Sequence, residues 1–206
     1  MKISCMKGKL MQGISNVSKA VSTKTTHPIL SCIFIEAENG NIKLTANDME
    51  IGIESYVEGT VIEEGKVAIE AKLLSDIVRK LPDSEIHMET NEDFKTTIKC
   101  EKSLFTIAGK SGEDFSSLPV VEKSKFITIS QFTLREIINQ TIFSISDSEY
   151  NNVMTGELFE VSNNRLRVVA IDGHRIAIRN VELKNESEDV KVIVPGKALS
   201  YISKIV

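Results

Sequence analysis

The chain has 206 residues, 25 Lys and Arg against 29 Asp and Glu, and a formal net charge of −4. That length holds one or two domains, and 41% apolar with 5% aromatic residues is ordinary for a globular fold. No apolar run has the length of a signal peptide or a membrane span. Cys5, Cys32 and Cys100 are odd in number and far apart, so the expectation is a cytoplasmic protein without disulfide, metal or membrane partner.

A β-like opening, MKISC, leads into an amphipathic helix over 7–21, where Leu10, Ile14, Val17 and Val21 keep helical spacing. Strands are predicted at 30–38, 41–46 and 50–57. Asn39-Gly40 makes a hairpin turn between the first two, because both residues tolerate positive φ. A strand at 66–70 runs into a helix at 72–81, which Pro82 stops. Three strands follow at 84–90, 94–100 and 103–109. The loop GKSGEDFSSLP (109–119) and the charged stretch Val121–Lys125 read as a linker. The same order then returns: a β-like FITIS (126–130), a helix over 131–145, strands at 153–161, 165–170, 174–181 and 190–194, and a helix from 196.

This return is a sequence repeat. Asp48 falls on Asp172, 124 residues later, and Ala46 on Ala170, Asn39 on Asn163, Glu36 on Glu160, Ser22 on Ser146 and Ile14 on Ile138 at the same offset. A one-residue shift then aligns KLLSDI (72–77) with KALSYI (197–202). A repeat of this length means a duplicated domain. Each full copy reads β-α-β-β-β-β-α-β-β-β, an α+β unit with two helices on one face of antiparallel sheet. The second copy ends at the counterpart of Leu81, so its last strands are expected to be missing.

Charge is unevenly distributed over these elements. The four predicted helices carry nine basic residues, Lys7, Lys9, Lys19, Lys72, Arg79, Lys80, Arg135, Lys197 and Lys204, against Asp76 and Glu136. That is +7, which leaves −11 for the rest of a chain of net −4. A basic helix face on an acidic body is the footprint of a phosphate-facing surface, although lysines also simply solvate exposed helices. No zinc finger, helix-turn-helix cue or aromatic stacking platform is present, so DNA contact would be to backbone and indifferent to sequence.

Both copies place an Asp after their third strand, in ANDMEI (46–51) and AIDGHRI (170–176). The shared Asp reads as a turn former. The second copy replaces Met49-Glu50-Ile51 with Gly173-His174-Arg175, which suggests an added role. An acid–base pair of Asp172 and His174 is one reading, but no Ser or Cys nucleophile accompanies it. No P-loop, GxGxxG or HExxH is present either.

These stretches resemble a known family. VMTGELFEV (153–161) and VVAIDGHRIA (168–177) are similar to the second domain of the bacterial sliding clamp, the beta subunit of DNA polymerase III. HPILSCIFIEAENGNIKLTANDMEIGI (27–53) and EAKLLSDIVRKLP (70–82) are similar to its first domain, and VIVPGKALSYI (192–202) again matches the family. The resemblance covers essentially the whole chain. It implies an α+β DNA-clamp fold with a first domain at 1–120, a linker at 121–125, an incomplete second domain at 126–206, and no third domain.

The family implies a homodimeric ring of three domains per protomer, which encircles double-stranded DNA and tethers the polymerase. It carries no cofactor and performs no bond chemistry. The implied partners are the polymerase catalytic subunit, the clamp loader and other proteins bearing clamp-binding peptides. Such peptides enter a pocket whose walls here would be Met154, Ile171, Gly173, His174, Arg175 and Ile176. Lys24 and Tyr150 are implied DNA contacts, and Lys7, Lys9, Lys19, Lys72, Arg79, Lys80, Lys197 and Lys204 are the helix cations expected to join them. The edge strand with Leu104, Phe105 and Ile107 would meet the partner protomer. The competing reading is a stand-alone α+β module that binds partner peptides without encircling DNA.

Overall fold

A helix folds onto a sheet when its apolar residues form one stripe, and the first helix has such a stripe. In the computed structural model, which describes residues 1–206 except 23, 24, 114, 116, 122–125, 148–152 and 185–187, α1 (Lys7–Val17) buries Leu10, Gly13, Ile14 and Val17. Ser18 Oγ turns back onto the Ile14 carbonyl at 2.6 Å, and the helix tightens into a 3-10 turn at Ser18–Ala20. A second helix, α2 (Ala71–Lys80), buries Ala71, Leu74, Ile77 and Val78 and ends before Pro82. Lys7 Nζ donates to the Leu81 carbonyl at 2.6 Å, placing a cation at the negative end of α2.

The chain divides into two units, Met1–Pro119 and Val120–Val206. In the first, the helices accompany two antiparallel sheets. The strands β1 (Lys2–Met6), β2 (Cys32–Glu38), β3 (Asn41–Asn47), β4 (Gly52–Val57), β5 (Gly59–Glu63), β6 (Gly65–Glu70), β7 (Glu85–Thr90), β8 (Lys95–Cys100) and β9 (Ser103–Ala108) form sheets in the orders β4-β3-β2-β6 and β5-β1-β7-β8-β9. The core joins α1 and α2 to both sheets through Ile3, Leu10, Ile14, Ile33, Ile35, Leu44, Leu74, Ile86, Met88 and Ile98. Gly13 lets α1 approach β4, since a Cβ there would lie 2.7 Å from Val57 Cγ2.

The second unit contains α3 (Gln131–Thr141), a 3-10 turn at Ile142–Ser144, β10 (Gly156–Ser162), β11 (Arg165–Ile171), β12 (Ile176–Glu182), β13 (Val190–Pro195) and α4 (Gly196–Ile202). Ser130 caps α3 by accepting from the Thr133 amide at 3.1 Å. Its sheet order β12-β11-β10-β13 matches β4-β3-β2-β6 strand for strand. The hairpin turns match too: Asn39 and Gly40 have φ of 51° and 74°, and Asn163 and Asn164 have 49° and 58°. So does a backbone bond 124 residues apart, Ser22 N to Leu30 O at 3.0 Å and Ser146 N to Met154 O at 2.8 Å.

Three expectations need correction. Five strands, not four, separate the helices of the first unit: β5 pairs with β1 through Ile3 and Val61, as the edge of a second sheet that also holds β7, β8 and β9. FITIS is not a strand: in the first unit the corresponding β1 is held by β5 and β7, whereas no described strand pairs with 126–130. Ile127 and Ile129 still pack on the core of the second unit. The stretch 109–119 is not a free linker. Lys110 pairs with Ala68, and Phe115 stacks on Phe34 with ring centroids 4.9 Å apart, covering the sheet face opposite the helices.

Leu44 sits fully buried where β3 meets α1. Leu44→Ala should destabilise the first unit by about 2–5 kcal/mol, read as a lowered urea midpoint.

Candidate functional site

The cations named from the sequence fall into two groups. On α2, Lys72, Arg79 and Lys80 are exposed on the face opposite Leu74 and Val78, and Arg79 pairs with Asp76 one turn earlier. On α1, Lys9 is exposed but bonded to Glu58 at 2.8 Å. Lys19 Nζ folds back to the Ser15 carbonyl at 2.9 Å. Lys7 is half-buried, and its bond to Leu81 makes it a tie between the helices before it is anything else. In the second unit Lys197 on α4 and Lys204 just beyond it are exposed. Lys24 and Tyr150 lie outside the described residues.

The opposite sheet face of the first unit is chemically different. There Lys43 bonds Glu36 at 2.7 Å and Glu54 at 3.5 Å, while Lys66 bonds Glu36 at 3.3 Å and Glu38 at 2.9 Å. Cations on that face are matched by carboxylates, whereas the outward face of α2 carries three cations against one acid.

The two aspartate turns superimpose in their bonding. Asp48 Oδ1 accepts from Glu50 N at 3.1 Å and Ile51 N at 2.8 Å. Asp172 Oδ1 accepts from His174 N at 2.9 Å and Arg175 N at 3.0 Å. The residue after each Asp has positive φ, 75° at Met49 and 89° at Gly173. In the second unit Asp172 Oδ2 also accepts from Arg175 Nε at 2.7 Å. The His174 amide most strongly, then the Arg175 amide and guanidinium, hold the Asp172 carboxyl below its ordinary range. This carboxylate is committed to the turn, so the acid–base reading with His174 fails on geometry.

That turn joins β11 to β12 and brings Ile171 and Ile176 opposite each other. Ile171 is 40% exposed and Ile176 57%, with Gly173, His174 and Arg175 exposed between them. The Arg175 guanidinium lies over the Phe143 ring, 5.7 Å from its centroid. Phe143 belongs to the turn after α3, and the chain just beyond that turn bonds Met154 through Ser146. Met154 thus reaches the same region by its backbone. The arrangement is an open apolar surface with a donor-rich rim. Phe143, which belongs to it, carries no signal in the sequence.

The third candidate region is β9, the edge of the five-stranded sheet, which pairs only with β8 among the described residues. Leu104 is 64% exposed and Phe105 is partly so, but Ile107 is 8% exposed. Ile107 faces inward opposite the buried Thr96, so Leu104 and Phe105 are the exposed apolar side chains of this edge.

The model of the DNA polymerase III beta subunit N-terminal domain matches residues 1–119, and that of its central domain matches 128–206. The chain belongs to the DNA polymerase III beta subunit family. It is 37% identical over 206 residues to the beta sliding clamp of Halalkalibacterium halodurans and 34% identical over 214 residues to that of Bacillus subtilis, spanning 95% and 100% of this chain but only 54% and 57% of those proteins. The fold superposes on a putative DNA polymerase III beta subunit from Eubacterium rectale with TM-score 0.96 at 56% identity, covering all of this chain and 56% of that one. The Bacillus subtilis sliding clamp superposes with TM-score 0.94 at 32% identity, covering all of this chain and 57% of that one. A Pseudomonas aeruginosa clamp bound to griselimycin gives TM-score 0.91 at 28% identity, covering 99% and 56%. The chain spans about half the length of the curated relatives it matches.

Gly173 has open space around its α-carbon, so only its φ resists a side chain. Gly173→Ala should cost about 1 kcal/mol through left-handed strain. Met49→Gly, which removes the same strain in the first unit, should cost almost nothing; thermal unfolding of the two variants checks both.

Proposed function

We propose that these two units are part of a sliding clamp, a non-catalytic processivity factor that encircles duplex DNA and tethers the replicative polymerase. The observation that carries the reading is the match of both units, in order and over nearly all their residues, to the first two domains of that family. The division of charge within the first unit supports it: cations crowd the outward face of α2, while on the opposite sheet face Lys43 and Lys66 are outnumbered by Glu36, Glu38 and Glu54. Phosphate contacts of this kind are weak singly and screened by salt, so residence on DNA depends on topology.

Two tests separate topology from affinity. On nicked circular DNA in high salt, the full-length Bacillus subtilis clamp, placed there by its loader, should remain until the circles are linearised. This 206-residue chain should leave at once; retention of the chain under those conditions contradicts the ring reading. At low salt Lys72→Ala and Lys80→Ala should each reduce the slope of log affinity against log salt by about 0.9, the value for one phosphate contact. Lys7→Ala should instead lower stability by about 1 kcal/mol, because its ammonium holds Leu81.

The β11–β12 turn with Ile171, Ile176, His174 and Arg175 is the proposed docking surface for partner peptides, the polymerase catalytic subunit and clamp loader among their owners. Apolar anchors supply most of the affinity in such docking. Because Ile176 is mostly exposed, Ile176→Asp should abolish peptide binding without lowering the melting temperature. Peptide binding that survives the substitution moves the site elsewhere. The uncovered β9 edge, with Leu104 and Phe105, is proposed to meet another protomer; Phe105→Lys should weaken any concentration-dependent association seen by sedimentation.

A further inference from the structure

The two units differ at three buried positions on α3, the 3-10 turn after it and β10. Val17, Ala20 and Ile33 of the first unit are all fully buried. At the same offset of 124 the second unit has Thr141, Ser144 and Glu157, and each of these is also 0% exposed. Three apolar contacts have become a hydroxyl, a second hydroxyl and a carboxyl at the join of α3, its 3-10 turn and β10.

The hydrogen bonds there do not balance for an ionised carboxylate. Thr141 Oγ1 lies 2.8 Å from the Ile137 carbonyl and 2.7 Å from Glu157 Oε2. A hydroxyl has one proton, and both neighbours would be acceptors. If Glu157 is a carboxylic acid, its O–H donates to Thr141 Oγ1 and the Thr141 hydroxyl donates to Ile137, so both contacts are satisfied by two protons. Among the described residues the remaining oxygen, Glu157 Oε1, has no hydrogen-bond partner, nor has Ser144 Oγ; a full negative charge there would be desolvated and uncompensated. Charged residues do occur on the elements packed around it: Arg135 and Glu136 on α3, Lys197 on α4, Arg165, Arg167 and Asp172 on or just after β11, Arg179 on β12 and Lys191 on β13. Glu157 stands opposite Val194 of β13, and its one hydrogen bond among the described residues is the one to Thr141. Burial alone pushes Glu157 from its ordinary 4.5 up to about 7, against the opposing bond to Thr141.

We propose that Glu157 is a positioning residue whose protonated form, bonded to Thr141, seats the Ile142–Ser144 turn and through Phe143 holds Arg175 in the docking surface. The connection is short: Thr141 is followed by Ile142 and Phe143, and the Phe143 ring carries the Arg175 guanidinium. Loss of the proton leaves Thr141 a choice between the carboxylate and Ile137, and draws water toward the turn. The consequence for docking rests on the function proposed above; the proton chemistry does not.

The linkage has a definite sign. An acid whose folded pKa is raised contributes stability that is complete below its unfolded value and is lost as pH rises through the folded one. The window runs from about 4.5 to about 7. The test is nuclear magnetic resonance of the whole 206-residue chain with labelled Glu, Phe and Arg side chains, compared with Glu157→Gln, in which the amide stays neutral. The Glu157 carboxyl should titrate with a midpoint near 7, and Phe143 and Arg175 signals should move with it in wild type but not in the Gln variant. Wild type should melt below the Gln variant at about pH 8 and match it at about pH 4. A midpoint in the ordinary glutamate range overturns the inference, as do Phe143 and Arg175 titrations identical in both proteins. Coupled titration without any peptide binding at either pH supports the proton site and overturns the docking reading alone.

Discussion

The structure depends on one packing arrangement, the apolar stripe of a helix laid across a four-stranded antiparallel sheet. In the first unit Leu10, Ile14 and Val17 meet Ile35 and Leu44; in the second Ile137 and Ile138 meet Phe159, Leu166 and Val168. Each fully buried side chain of this size contributes roughly 1.5–3 kcal/mol. This contact decides which helix residues are left outside. On α2 the outward residues are the cations Lys72, Arg79 and Lys80. The aspartate turns lie at the hairpin ends of these sheets, and the proposed docking surface lies beside the second of them.

Because both units use the same packing, their differences are informative. The Asp48 and Asp172 turns share their amide bonds and their positive φ, so these features belong to the scaffold. What the second unit adds is the Gly173-His174-Arg175 sequence, the Arg175–Phe143 contact and the buried Glu157. All three additions lie around the turn after α3. The first unit instead covers the other face of its sheet with Phe115, stacked on Phe34, and pairs Lys110 with Ala68.

The repeat, the helices and most strands were legible in the sequence because their apolar residues recur at periods of 3.6 and 2. β5 was not, since among its residues only Val61 reaches the core and the rest of Gly59–Glu63 is exposed. FITIS shows the converse. Its alternation correctly marks Ile127 and Ile129 as core-facing, but a strand also needs a neighbour to bond, which alternation does not supply. The aspartate turns could be read from the repeat. Glu157 could not be read from its own strand pattern, where a Glu inside GELFEV looks like any alternating polar residue; only the comparison with Ile33 marks the position as buried.

In the proposed function the helix faces meet duplex DNA while the opposite sheet faces do not. Photo-crosslinking from single engineered sites tests it most directly, with probes at Lys72, Lys80 and Lys197 on the helices and at Lys43, Glu54 and Lys191 on the sheets. Salt-sensitive crosslinks to duplex DNA are expected from the three helix positions and background levels from the three sheet positions. Crosslinks of equal strength from Lys43 and Lys191 would contradict it.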